Sequence, residues 1–72
     1  MIHVSDKLRE SLEKWMRTHV APNGFRASQL VDEITEDFDD NIRVRIAGRL
    51  IQKHSRLGNI KLHGANNWCW AR

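Results

Sequence analysis

The spacing of apolar side chains changes at Gly58, and that change constrains the fold more than any other feature of the chain. Before it, large apolar residues recur every three or four positions; from Asn59 onward they fall on every second one. A helix brings residues three and four apart onto one face, whereas a strand brings alternate residues onto one face. The 72 residues therefore predict a single domain, residues 1–72, that is mainly α and ends in a small β-hairpin. A core this small must rest on a few large side chains, which Trp15, Phe25, Phe38, Trp68 and Trp70 supply.

Three helices are expected. Ser5 caps the first and Asp6 lies in its first turn; Leu8, Leu12, Trp15, Met16 and Val20 make its apolar face, which predicts a helix over 6–20. Ala21-Pro22-Asn23-Gly24 breaks it, and Phe25 anchors a short extended segment. The second helix, 27–37, points Leu30, Val31, Ile34 and Phe38 inward and carries Asp32, Glu33, Glu36 and Asp37 outside. Asp39 or Asp40 caps the third, over 41–55. The hairpin occupies 59–71. A loop of odd length places Ile60, Leu62, Trp68 and Trp70 on one face against the helices, which leaves Lys61, His63, Cys69 and Arg72 to solvent or a ligand. Asn66 and Asn67 suit its turn.

Charge is divided unevenly. Residues 1–40 hold five basic and nine acidic side chains, a net charge of −4. Residues 41–72 hold seven basic side chains and no Asp or Glu, a net charge of +7. One reading is balance between the halves. The stronger one is a basic face for a polyanion.

Three helices and a hairpin in this order resemble a winged helix-turn-helix domain. Phe25-Arg26-Ala27-Ser28-Gln29-Leu30-Val31-Asp32-Glu33-Ile34 resembles the opening of helix 2 in winged-helix regulators, Val44-Arg45-Ile46-Ala47-Gly48-Arg49-Leu50-Ile51 looks like their recognition helix, and Gly58-Asn59-Ile60 is similar to the lead into their wing. The resemblance covers most of the chain and specifies an architecture rather than one family. It implies sequence-specific binding of double-stranded DNA by a small transcriptional regulator, or by an architectural or recombination-directionality factor. The second helix departs from the pattern in being strongly acidic, leaving its N-terminal Arg26 and Ser28 as its phosphate-contacting candidates.

Helical geometry sorts the third helix. At about 100° per residue, Ile42, Val44, Ile46, Ala47, Leu50 and Ile51 share one broad arc, and Asn41, Arg45, Gly48, Arg49 and Gln52 the opposite one, with Lys53 at its edge. Arg43 lies nearer the apolar side and can turn outward at the helix start. Arg and Asn suit bidentate readout of guanine and adenine edges in the major groove. The expected DNA contacts are Asn41, Arg43, Arg45, Arg49, Gln52 and Lys53, with Lys61 and His63 of the wing on adjacent backbone and Arg26 and Ser28 beside them. Asn41 has an alternative use as a helix cap, and Gly48 as a tight-packing point against the second helix.

Other classes fit poorly. The single cysteine, Cys69, leaves no internal disulfide and no four-cysteine zinc site. Cys69 with His63 has no clear orienting group for nucleophilic catalysis, so no enzyme is expected. His3, His19, His54, His63 and Cys69 match no zinc-ligand spacing, and no glycine-rich phosphate loop is present, so no metal or cofactor is expected. No apolar run approaches the roughly 18–20 residues that span a bilayer, and no signal sequence is recognised; a cytoplasmic monomer or weak homodimer is the expectation. The alternative function is a protein-interaction module that sets its basic face on an acidic partner protein.

Overall fold

The computed structural model describes residues 4–71. Helices α1 (Asp6–Arg17), α2 (Ala27–Asp32) and α3 (Asp40–Arg56) precede strands β1 (Ile60–Leu62) and β2 (Trp68–Trp70). The strands pair antiparallel, Ile60 with Trp70 and Leu62 with Trp68. The intervening loop has five residues, 63–67, so the odd-length expectation holds. Arg72, expected on the outer face of the hairpin, lies outside the described residues, as do Met1–His3. Among the described residues no helix is long and apolar enough to cross a membrane.

Two helices end earlier than their periodicity suggests. Ser5 Oγ accepts from the Leu8 N–H at 3.2 Å and starts α1 as expected. At the other end, Thr18 Oγ1 donates to the Trp15 carbonyl at 2.7 Å, and His19 Nδ1 lies 2.8 Å from the same oxygen. Continuing the helix would require that carbonyl for the His19 backbone N–H. Helix α2 stops at Asp32. No basic residue lies in its last turn, and Asp32, Glu33, Glu36 and Asp37 would crowd carboxylates at the negative end of the helix dipole. Ile34 is buried nevertheless, and Phe38 packs on the core, both from irregular chain.

Helix α3 runs longer than expected. Asp39 caps it, its carboxylate accepting from the Ile42 N–H at 2.9 Å. Gly58, at φ 76°, takes the left-handed conformation that ends a helix at little cost to glycine.

The core joins Leu8, Leu12 and Met16 of α1 to Leu30 of α2 and to Ile46, Ala47, Leu50 and Ile51 of α3. Phe25, Ile34 and Ile60 complete it, with Trp15, Trp68 and Trp70 packed against it half-buried. Phe25 is the extended anchor expected: its N–H donates to the Trp68 carbonyl and its carbonyl accepts from the Trp68 N–H, both at 2.7 Å. The Trp70 N–H donates to the His19 carbonyl at 2.7 Å. Strand β2 is thus flanked on both edges. Gly24 is required at this crossing, because a Cβ there would lie 2.7 Å from the Trp68 carbonyl oxygen.

That third segment corrects one expectation. Cys69 does not face solvent; it is buried, in the middle of a strand that has neighbours on both edges. Leu62 is corrected the other way. It is 57% exposed, although its cross-strand partner Trp68 packs on the core. Val44, assigned to the inner arc of α3, is 58% exposed at the edge of that arc.

Candidate functional site

One face of α3 collects four of the ten residues expected to bind, Asn41, Arg45, Arg49 and Gln52. Asn41, Arg45, Gly48, Arg49 and Gln52 are all exposed, while Ile46, Ala47, Leu50, Ile51 and His54 are buried on the other side. Because α3 extends to Arg56, that exposed arginine joins the row. Arg45, Arg49, Gln52 and Arg56 follow one another at steps of four, three and four residues, a nearly straight stripe along a helix. Sequence reasoning missed Arg56 because it ended the helix at 55, although the spacing itself was visible.

The cations of this face differ in their engagement. Among the described residues no ion pair involves Arg45, Arg49 or Arg56. Lys53, at the edge, lies 3.5 Å from the Glu13 carboxylate. Arg43 pairs with Asp40 and is half-buried, with its Nε enclosed and without a hydrogen-bond partner. Like charges four residues apart cost an isolated helix a few tenths of a kcal/mol, so Arg45 and Arg49 are not placed together for the helix's own benefit.

Two alternative uses weighed from the sequence disappear. Asn41 is not the cap of α3, since Asp39 fills that role. Gly48 is not a packing point against α2: a Cβ built on it meets nothing within 4 Å. Glycine inside a helix costs roughly 1 kcal/mol relative to alanine, and no neighbour within the fold requires it.

The start of α3 is anionic. Asp39 and Asp40 are exposed there, where carboxylates favour the positive end of the helix dipole. They oppose a phosphate at the same place. The cationic part of the face therefore begins at Arg45 and runs toward the C-terminus.

The remaining candidates lie on other elements. Lys61 on β1 and His63 at the start of the loop are exposed; the His63 N–H donates to the Asn67 carbonyl at 2.6 Å, and Asn66 takes φ 60°, the turn role expected of these asparagines. Arg26 and Ser28 open α2 and are exposed. The Arg26 backbone N–H is held by Gln29 Oε1 at 2.8 Å, and its guanidinium forms no ion pair among the described residues.

Beneath the face, a polar strut joins α3 to α1. His54, only 4% exposed, places Nε2 2.7 Å from the Glu13 carboxylate and Nδ1 3.0 Å from the Asn59 amide nitrogen. With that nitrogen donating to Nδ1, the neutral ring carries its proton on Nε2 and donates it to Glu13. Burial pushes the Glu13 carboxyl up, but the His54 hydrogen bond and the Lys53 charge outweigh it, holding the group below its ordinary range. Sequence reasoning missed this strut; the signal that points to it is a histidine whose helical phase falls among Ile46, Leu50 and Ile51. Among the described residues no group of three or more His, Cys, Asp or Glu side chains is arranged to hold a metal ion.

No family model, curated protein or solved structure matches the chain at a significant level.

Proposed function

We propose that this protein is a winged helix-turn-helix module that binds double-stranded DNA, with α3 in the major groove and the β1–β2 hairpin on adjacent backbone. The observation that carries the reading is the Arg45–Arg49–Gln52–Arg56 stripe, exposed and free of ion pairs among the described residues. Arginine matches the O6 and N7 acceptors of guanine, and glutamine the adenine edge. The bare surface at Gly48 admits a groove wall at close range. Lys61 and His63 serve the phosphates, where cations contribute affinity without sequence preference. The role is that of a small transcriptional regulator or of an architectural or recombination-directionality factor.

The test is titration of an Arg45→Ala, Arg49→Ala double variant against a duplex selected from a random library and against a scrambled duplex, at two salt concentrations. Loss of a base contact costs about 1–3 kcal/mol and relaxes preference at that base pair; loss of a phosphate contact weakens both duplexes alike and reduces the salt slope by about one unit. Unchanged affinity for both duplexes in the folded double variant would sink the assignment.

One observation favours a second reading, an acidic protein partner. A shallow cavity of about 150 Å³ has an apolar floor of Val4, Ile46 and Leu50 and a rim of Arg9, Arg49 and Lys53. An acidic amphipathic segment fits that combination. Capture of a defined protein partner that survives nuclease treatment supports it.

A further inference from the structure

Two residues of α3 sit side by side in a way the fold itself does not use. Val44 is 58% exposed. Four residues on, Gly48 presents bare helix backbone, with nothing among the described residues within 4 Å of a Cβ built there. Alanine would serve a solvated helix face better at either position, since valine loses side-chain freedom in a helix and glycine loses backbone freedom. Residues four apart lie one turn above one another on one face. The polar neighbours of this patch are Asn41 and Arg45, both exposed. Asp40, the nearest carboxylate in sequence, is paired with Arg43. The patch thus combines one apolar knob, a smooth floor beside it, and a flanking arginine.

In the major groove, thymine alone presents an apolar group, its C5 methyl, beside the hydrogen-bonding edges. We infer that Val44 packs against a thymine C5 methyl, with Gly48 allowing the helix to come close enough for van der Waals contact. Val44 then determines a preference for thymine at a position next to the base pair reached by Arg45. This inference rests on the proposed DNA-binding function.

The experiment uses the full chain and the duplex selected from a random library, with each thymine replaced singly by deoxyuracil. That replacement removes one methyl group and keeps base pairing. At one or two positions the wild-type protein should bind the uracil duplex about fourfold more weakly, the worth of one buried methyl-sized group. The Val44→Ala variant should bind the thymine and uracil forms of that duplex equally, while Arg45→Ala, though weaker overall, should keep the distinction. Uniform tolerance of uracil by the wild type, or a penalty that persists in Val44→Ala, overturns the Val44 assignment and leaves DNA binding standing. Failure to select or bind any duplex overturns the functional reading and this inference together.

Discussion

Gly48 separates the needs of the fold from those of a binding surface. Its replacement by alanine meets no neighbour and removes a glycine from the interior of a 17-residue helix. Gly48→Ala should therefore stabilise the protein by up to about 1 kcal/mol, visible as a raised thermal midpoint, and weaken binding to the selected duplex. Stabilisation with undiminished affinity would show that the bare surface is not used in close approach. At this scale the sequence was legible for side chains whose environment follows from helical phase. Arg45, Arg49 and Gln52 are exposed and Ile46, Leu50 and Ile51 are buried as expected. It was not legible where a partner distant in sequence decides the outcome. Cys69 is buried in a strand whose second edge Phe25 and Val20 close, and no local pattern announces that pairing. Val44 lies at the edge of its arc, where phase alone does not determine exposure.

The elements themselves were legible in kind and order, and their ends were not. The ends depend on single atoms: the Thr18 hydroxyl and the His19 ring capture a carbonyl that α1 would need, and carboxylates gather where α2 would continue. What couples the elements is partly electrostatic. Glu13 on α1 meets His54 and Lys53 on α3, which hold its pKa below the ordinary glutamate range. A carboxyl lowered in the folded state stabilises the fold above its unfolded pKa, and that contribution is lost as the pH falls through the lowered value. Urea unfolding midpoints should therefore fall as the pH drops from about 4.5 toward the depressed pKa of Glu13. Glu13→Gln should be less stable near neutrality and should flatten that acid limb. An unchanged acid limb in Glu13→Gln would assign the pH dependence to other groups. Trp70 completes the same junction, with its ring 5.4 Å from His54 and 5.6 Å from the Arg17 guanidinium.

Across the whole molecule, the anionic start of α3 and its cationic continuation give the proposed interface a direction. From Arg45 to Arg56 the stripe spans twelve residues, about 16 Å at the rise of an α-helix. A duplex advances about 3.4 Å per base pair, so the stripe lies along roughly five base pairs. Five fully read positions distinguish only about one sequence in a thousand, whereas a genome offers roughly a million or more competing sites. A lone copy therefore carries too little information to find one address. On the proposed DNA-binding reading, the address is composed by repetition, each copy spelling one short word and neighbours spelling the next. Selected duplexes should contain a word of about five base pairs more than once, with repeats about one helical turn apart, and the bound stoichiometry should match the number of words. A single copy specifying ten or more base pairs would contradict this. On that reading, the straightness of one row of side chains sets how many molecules assemble before the DNA sequence has been read.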